Sequence, residues 1–392
     1  MFRWTTSIST QPTVSLSRRS ALAISLSGVI AGGSTMADEP TSVATRAAVQ
    51  RVVRPIANQR LELTPISADF DRAIIRAIAA DPRGDFVAVA GDDHAIRILA
   101  ADGPLRVVKT LRGHEDLIRT LRFDSTGKRL VSAGNDGQLI LWARDRDFEV
   151  QQKMTGTPVL ACVRFSPDGD EMAAVGFSRE VYLIGRNQAG ESPRLACDCS
   201  DLRAVAYRDD GKFLAVAGRN GDLHLFDRDS GDVTYFRIHY GRVQALEFVR
   251  DSNLLVSVGE DGNVVLFDTQ SQSEVRRIQV TGGKLFSVTV LDRDYLAVAG
   301  SDNKIRIINL QLGRVIEELN GHTGTIAALA SDKDSLFSGG FDATLRRWEL
   351  SGVQGNRGVR GSCGMRGSCD VQESCGVQYA CSNTAGMGYI HL

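Results

Sequence analysis

A glycine that ends a short β-like run recurs seven times in the chain, and this repeat limits the fold more than any other feature. The spacing is 40 to 43 residues, at Gly91, Gly134, Gly176, Gly218, Gly259, Gly300 and Gly340. Each run is alternating or wholly apolar and is followed by a tight polar turn and a second alternating run, as in LVSAGNDGQLILW. A period of two on both sides of a Gly-, Asp- or Asn-containing turn predicts a β-hairpin.

Two further strand-like segments flank each hairpin, so one repeat holds four strands. An example upstream is 118–123 and an example downstream is 315–319. A single four-stranded sheet cannot bury both of its faces, whereas seven sheets packed around an axis cover one another. The sequence therefore predicts an all-β, seven-bladed β-propeller over residues 59–350.

Two repeats carry short motifs that resemble the WD-repeat (beta-transducin-like) family. They contain Gly113-His114 and Gly321-His322 at the start and Trp142 and Trp348 at the end. The resemblance implies that a complete blade contains a hydrogen-bonded tetrad of His, Ser or Thr, Asp and Trp. The matching positions are His114, Ser132, Asp136 and Trp142; His322, Ser338, Asp342 and Trp348; and a partial set, His239, Ser257 and Asp261, with Phe267 in place of Trp.

In such a tetrad the carboxylate accepts a histidine N–H, and the hydroxyl connects the ring to the indole N–H, which satisfies buried polar groups. The other four repeats depart from the pattern. The first and sixth keep only Asp93 and Asp302, and the third and fourth have Ser178 and Asn220 at that position. We expect these four blades to rely on apolar packing alone.

The seventh repeat ends near Leu350 without a fourth strand of its own. The segment from Arg60 to Thr64 sits before Asp71 much as 107–111 sits before His114, so it has the register of an outer strand. We predict that this N-terminal strand pairs in blade 7 and closes the ring, because closure removes an exposed sheet edge.

The first 37 residues have the composition of an export signal. No acidic residue precedes Asp38, Arg18-Arg19 comes before a short apolar stretch, and Thr35-Met36-Ala37 offers small residues for cleavage. This order is typical of a secretory signal and resembles a twin-arginine signal, although Ala21 stands where that pattern prefers a bulky residue. We predict a signal peptide at 1–37, a linker at 38–58 and a periplasmic or extracellular protein. A cytoplasmic protein with a Ser/Thr-rich leader, or with an organelle transit peptide, is the alternative.

The C-terminal segment 351–392 is rich in Gly, Ser and Cys, and we expect it to be disordered. Its cysteines, Cys363, Cys369, Cys375 and Cys381, are six residues apart and lack the C-x-x-C pairs of zinc sites. In an oxidising compartment they allow disulfide-linked self-association. A sensory or regulatory module crosslinked through this tail is one alternative function.

Composition and motifs favour a binding protein over an enzyme. The 46 basic and 47 acidic residues nearly balance, which argues against nucleic acid as a partner. No apolar run reaches the roughly 18–20 residues that span a membrane. No catalytic, metal or cofactor motif occurs, so we predict no enzyme activity, no cofactor and no metal. An exported lactonase-like or quinone-dependent dehydrogenase-like propeller remains the enzymatic alternative, although an aromatic content of 6% offers little for cofactor stacking.

The family resemblance also implies that a partner binds the face formed by the start of each innermost strand and by the hairpin turns. Aligning those positions predicts an apolar group and a charged group of partner-binding residues: Ile74, Leu117, Val159, Phe177 and Phe341; and Arg219, Arg242, Glu260 and Lys284. If the alignment is off by one residue, these side chains are buried instead. The predicted function is a non-enzymatic protein–protein interaction scaffold that binds a protein or peptide through this face.

Overall fold

The seven repeats fold into seven four-stranded antiparallel sheets, numbered here as blades 1 to 7 in the order of their glycines. The computed structural model describes residues 66–69, 73–185, 194–197 and 201–350. The predicted signal peptide, the linker, the segment from Arg60 to Thr64 and the tail cysteines lie outside the described residues.

Each blade has the same strand order from the centre of the ring outwards. The innermost strands are β2 (Ile75–Ala80), β6 (Ile118–Phe123), β10 (Leu160–Phe165), β14 (Leu202–Tyr207), β18 (Val243–Phe248), β22 (Leu285–Val290) and β26 (Ile326–Ser331). The second strands are β3 (Phe86–Gly91), β7 (Arg129–Gly134), β11 (Glu171–Gly176), β15 (Phe213–Gly218), β19 (Leu254–Gly259), β23 (Tyr295–Gly300) and β27 (Ser335–Gly340). The third strands are β4 (Ala95–Ala100), β8 (Leu139–Ala143), β12 (Glu180–Gly185), β16 (Asp222–Asp227), β20 (Asn263–Asp268), β24 (Ile305–Asn309) and β28 (Thr344–Glu349). The outer strands are β5 (Val107–Arg112), β9 (Glu149–Met154), β13 (Arg194–Ala196), β17 (Val233–Arg237), β21 (Ser273–Gln279), β25 (Arg314–Leu319) and β1 (Ile66–Asp69).

The innermost strand of each blade contacts the innermost strands of both neighbours, so the seven strands form a closed ring. One short 3-10 helix, Arg144–Arg146, interrupts the strands of the described residues. No helix in that part of the chain is long and apolar enough to cross a membrane. The predicted all-β seven-bladed propeller is confirmed.

The core of the protein lies between blades and not within them. Ala88 and Ile98 of blade 1, for example, share one buried cluster with Leu121 and Trp142 of blade 2. Second strands such as β15 are covered by neighbouring blades on both sides, which explains their nearly continuous apolar sequence, FLAVAG. Outer strands such as β21 are mostly exposed and correspondingly polar. A blade therefore depends on its neighbours for burial of its apolar surface.

An N-terminal strand closes the ring in blade 7, as predicted. Strand β1, Ile66–Asp69, pairs antiparallel with β28, with Ile66 opposite Arg347 and Asp69 opposite Thr344. This pairing follows closely after the predicted segment from Arg60 to Thr64, which lies outside the described residues. The connection length agrees with the other blades, because every outer strand ends six or seven residues before the next innermost strand begins.

The recurring glycines are explained by a close approach of two backbone segments. Each is the last residue of a second strand and faces the carbonyl oxygen of the residue just before the innermost strand. A Cβ atom at Gly91 would lie 1.6 Å from the Ile74 oxygen, and one at Gly176 would lie 1.9 Å from the Val159 oxygen. Since no real side chain tolerates such distances, the position requires glycine for space and not for an unusual φ angle.

Candidate functional site

Blade 2 contains a complete buried tetrad. The Nδ1 atom of His114 is 2.8 Å from Asp136 Oδ2, and its Nε2 atom is 2.8 Å from Ser132 Oγ. The indole N–H of Trp142 donates to the same Oγ atom over 2.9 Å. Burial lowers the pKa of His114 below its usual 6.5, in spite of the opposing effect of Asp136, so the ring is neutral at pH 7. Nδ1 then donates to the carboxylate and Nε2 accepts the hydroxyl proton.

Blade 7 repeats this geometry. His322 lies 2.8 Å from Asp342 and 2.7 Å from Ser338, to which Trp348 donates over 2.9 Å. Burial again lowers the pKa of His322. The Ser132 and Ser338 side chains are fully enclosed, at 0% exposed. No substrate can reach these hydroxyls, so the Ser–His–Asp sets hold together the strands of their own blade and do not form a nucleophilic triad.

Blade 5 holds the partial set. His239 Nδ1 is 2.8 Å from Asp261 Oδ1, and its Nε2 is 2.9 Å from Ser257 Oγ. Phe267 lies opposite Leu255 in the register that Trp142 has in blade 2, and it is buried. The serine hydroxyl of this blade therefore serves one ring nitrogen and no indole.

Apolar packing is not the only contact in the remaining blades, contrary to expectation. In blade 6 the Thr281 hydroxyl donates to Asp302 Oδ2 over 3.0 Å, so a threonine takes the place of the histidine. In blade 1 Asp93 forms a salt bridge with Arg97 at 2.5 Å. Leu99 and Ile308, which replace the indole in these two blades, are buried.

The tetrad carboxylates also fix the loops on one face of the ring. Asp136 accepts the backbone N–H of Glu115 over 2.9 Å, and Asp342 accepts that of Thr323 over 3.0 Å. In blade 5 Asp261 accepts the N–H of Tyr240 over 3.0 Å. The buried network thereby positions the loops that lead into the innermost strands of these blades, two of which carry the predicted partner-binding residues Leu117 and Arg242.

The predicted partner-binding residues lie on this face, and none of the nine is buried. Phe177 and Phe341 are 42% and 48% exposed. Arg219 and Lys284 are exposed, and Ile74, Leu117, Val159, Arg242 and Glu260 are half-buried. The residue that follows each chosen position, which is the first of the innermost strand, is the buried one, as Ile75 is.

The charged part of the face forms a chain of ion pairs. Arg242 lies 3.0 Å from both Asp201 and Glu260, and Glu260 lies 3.2 Å from Lys284. These salt bridges hold the pKa of the Glu260 carboxyl below its usual range, even though burial acts in the opposite direction. The cations and carboxylates of this sector therefore largely neutralise one another.

A β-bulge at the second residue of every innermost strand shapes the centre of the face. A bulge leaves one residue out of the hydrogen-bonded ladder and redirects its side chain. The seven bulged residues together line the opening of the central channel, which we call the channel mouth: Arg76, Arg119, Ala161, Arg203, Gln244, Phe286 and Ala327.

Three arginines of the channel mouth contact the two exposed phenylalanines. The guanidinium carbon of Arg76 is 5.5 Å from the centre of the Phe341 ring. Those of Arg119 and Arg203 are 5.1 Å and 4.1 Å from the Phe177 ring. The predicted apolar group is therefore interleaved with cations and is not a continuous apolar surface.

The channel concentrates positive charge. Its lining contains five arginines and, among the described residues, one carboxylate: Arg76, Arg119, Arg122, Arg164, Arg203 and Glu247. Burial, followed by repulsion from Arg76 and Arg203, lowers the pKa of Arg119 to about 10. Deeper in the channel, Arg164 and then burial lower the pKa of Arg122 to about 10. A pKa of about 10 leaves the Arg119 and Arg122 side chains charged at pH 7, so cations repel one another in the channel.

Sequence reasoning missed Arg76, Arg119, Arg203 and Tyr240. Each of the three arginines lies two residues after the position that was aligned just before the innermost strand. Aligning that later position across the seven repeats would have shown them. Tyr240, which is 84% exposed, follows the blade 5 histidine where blades 2 and 7 have polar residues. An exposed aromatic residue in that column was the available signal.

Comparison with known families matches three segments to the family described as WD domain, G-beta repeat: residues 105–143, 232–268 and 313–349. Each segment contains an outer strand and the next three strands, ending in blades 2, 5 and 7. These are the three blades with a His–Ser–Asp set. The chain is a seven-bladed β-propeller with WD40 repeats. The four unmatched blades keep the strand order without that set, so the predicted resemblance to WD repeats is confirmed for the three matched segments.

Proposed function

We propose that this WD40 propeller is a non-enzymatic scaffold that binds a protein or peptide partner through the face around the channel mouth. The observation that carries the proposal is a group of three exposed aromatic side chains on that face. Phe177, Phe341 and Tyr240 are 42%, 48% and 84% exposed. Exposed aromatic residues supply much of the binding free energy in protein interfaces.

The remaining exposed apolar residues differ from this group in kind and in place. They lie on or beside outer strands around the rim and are mainly aliphatic: Val107, Val108, Val150, Tyr235, Val275, Leu312 and Ile316. Tyr235, the aromatic member, packs edge-on against buried His224 with ring centres 4.9 Å apart. Scattered single residues of this sort are normal on a soluble protein. The aromatic group on the face around the channel mouth is therefore the better candidate for a contact surface.

Three further observations support a scaffold over an enzyme. The channel holds a cavity of about 120 Å³, whereas pockets for drug-sized molecules reach ~300–1,000 Å³. In the described part of the chain, no three His, Cys, Asp or Glu side chains are grouped so that they could hold a metal ion. The tetrad serines are enclosed.

Removing the two phenylalanines together tests the proposal. The full chain and the Phe177→Ala/Phe341→Ala variant are immobilised, and bound proteins are captured, crosslinked and quantified by mass spectrometry. We expect the partner, identified by crosslinks to the face around the channel mouth, to fall at least about tenfold in the variant, since such anchors contribute ~2 kcal/mol or more each.

Val108→Ala/Ile316→Ala provides the matched control, because these outer-strand side chains are 41% and 42% exposed. All variants must melt like the wild type. If the double phenylalanine variant is folded and captures the same proteins in the same amounts, the face is not the binding surface and the proposal is wrong.

We also propose export by a twin-arginine route. The order of Arg18-Arg19, an apolar stretch and small residues before Asp38 supports it. In a bacterial host the periplasmic protein should begin at Asp38 by N-terminal sequencing, and Arg18→Lys/Arg19→Lys should retain the longer form in the cytoplasm. Export of the variant at the wild-type level would contradict the route.

A further inference from the structure

We propose that the channel mouth binds an oxyanion, a carboxylate or phosphate group, which a peptide segment of the partner inserts between Arg76, Arg119 and Arg203. The inference rests on the proposed scaffold function and specifies the chemistry of its partner. It depends on the placement, the hydrogen-bonding capacity and the unbalanced charge of the three guanidinium groups.

Placement follows from the bulges. The three arginines belong to blades 1, 2 and 4, yet the bulge at each position directs their side chains into one opening. All three are half-buried, so they are accessible from the face while the surrounding blades restrict their motion. A preorganised cationic group of this kind loses little side-chain entropy on binding.

Hydrogen-bonding capacity remains at Arg76 and Arg119 because aromatic rings, and no carboxylate of the described residues, hold their guanidinium groups, whereas Arg203 also pairs with Asp201. Phe341 supports Arg76, and Phe177 lies between Arg119 and Arg203. A cation–π contact fixes the position of a guanidinium group without a carboxylate partner, which leaves its N–H donors for another acceptor. Carboxylate and phosphate oxygens match that planar fork of donors.

The charge of the mouth is not balanced by its neighbours. Arg203 Nε lies 2.6 Å from Asp201 Oδ1, and the same carboxylate also pairs with Arg242. Arg119 donates to the neutral side chain of Asn135. Within the described part of the chain, neither Arg76 nor Arg119 forms a salt bridge with a carboxylate. Low-dielectric walls around an excess of one sign of charge favour a ligand of the opposite sign.

The size of the opening and the chemistry of its surroundings indicate a single anionic group on a peptide. The opening holds a cavity of about 90 Å³, well below the ~300–1,000 Å³ of pockets for drug-sized molecules, which suits one carboxylate or phosphate group. Asp201 and Glu260 lie beside the mouth, so a continuous polyanion such as nucleic acid would meet like charges. A peptide can place one oxyanion in the mouth and contact the aromatic residues around it.

Isothermal titration calorimetry on the full chain tests the proposal. The probes are inorganic phosphate, a capped hexapeptide with one glutamate among glutamines, the capped all-glutamine hexapeptide and a short DNA duplex, the caps being N-terminal acetyl and C-terminal amide groups. We expect heat of binding with phosphate and with the single-glutamate peptide, weakening as NaCl is raised, and none with the all-glutamine peptide. Tighter binding of the single-glutamate peptide than of free phosphate would identify a peptide carboxylate as the source, and the reverse order would favour a phosphorylated segment.

Three variants assign the site. Arg76→Gln and Arg119→Gln should each weaken binding of the single-glutamate peptide at least tenfold, while Arg76→Lys should cause a smaller loss because it keeps the charge. Arg106→Gln is the matched control, because Arg106 is an exposed arginine of blade 1 next to its outer strand. Since Arg119 is repelled by its neighbours, Arg119→Gln should melt at or above the wild-type temperature, which separates a binding role from a structural one.

The proposal is overturned if neither anion binds the wild type, or if both bind the Arg76→Gln/Arg119→Gln double variant as well as they bind the wild type. Preferential binding of DNA that depends on the same arginines would overturn the assignment to a peptide. Capture of the partner through Phe177 and Phe341 is a separate measurement. The scaffold proposal can therefore survive failure of the anion site, and anion binding can persist where capture fails.

Discussion

Replacement of a tetrad serine by alanine should destabilise blade 2 more than blade 5. The Ser132 hydroxyl contacts two buried groups, His114 Nε2 at 2.8 Å and Trp142 Nε1 at 2.9 Å. The Ser257 hydroxyl contacts only His239 Nε2, at 2.9 Å. The same substitution therefore leaves two polar atoms without a partner in one blade and one such atom in the other.

The structure sets the size of the difference. Each buried polar group left unsatisfied costs about 1–3 kcal/mol. Ser132 and Ser257 are 0% and 1% exposed, so the loss of the side-chain oxygen creates a similar small cavity in both blades. We expect Ser132→Ala to lower the free energy of unfolding by about 2–6 kcal/mol and Ser257→Ala by about 1–3 kcal/mol.

Urea unfolding of the full chain, followed by tryptophan fluorescence and by circular dichroism, measures the effect. Agreement of the two probes is the test for a two-state transition. A double-mutant cycle adds a control: in a Trp142→Phe background, which imitates blade 5, Ser132→Ala should cost less than in the wild type. Equal losses for Ser132→Ala and Ser257→Ala, or no coupling with Trp142, would refute the reasoning.

Three further predictions concern the glycines, the histidines and the closing strand. Gly91→Ala forces two backbone segments apart and should cost ~1–3 kcal/mol or more in the same urea assay, whereas Gly282→Ala, which meets nothing within 4 Å, should be neutral; equal effects would contradict the close-approach argument. Because burial lowers the pKa values of His114 and His322 from 6.5, their contribution is present above about pH 6.5 and is lost as the pH falls through their folded-state values. The urea midpoint should therefore decrease from pH 7 to pH 5, and a flat profile would be inconsistent with neutral buried rings. Deletion of Ile66–Asp69 should lower the melting temperature and cause concentration-dependent association seen by light scattering, since it exposes an edge of blade 7; an unchanged monomer would show that β1 does not close the ring.

The architecture was predictable because its cause is local and repeated. Each glycine marks a backbone crossing that only glycine allows, and the alternation on both sides identifies the hairpin. A closing strand from the N-terminal segment was predictable because the seventh repeat has no fourth strand of its own. Its register with β28, with Ile66 opposite Arg347, was not, since it depends on the five-residue connection from Asp69 to Ile75, a geometric limit imposed by the assembled ring.

The buried tetrads could be predicted from the sequence, whereas the exposed arginines of the channel mouth could not. The spacing of His114, Ser132, Asp136 and Trp142 carries the tetrad, because the hairpin register brings those positions together. The arginines of the channel mouth have no such signature. Ile75-Arg76-Ala77 reads as ordinary alternation, and only the bulge turns the second residue towards the channel. The arginine side chains of three blades meet at one opening only because the assembled ring brings those blades together.

The bulges separate what the protein recognises from what keeps it folded. A bulged residue has no partner in the strand ladder and lines the opening, so it contributes little to the clusters between blades. Substitution at these seven positions changes the charge, shape and polarity of the opening while the interblade cores stay the same. A propeller of this kind can acquire a new specificity by substitution at the seven channel-mouth positions alone. We expect a variant library confined to those positions to change ligand binding while its members still fold.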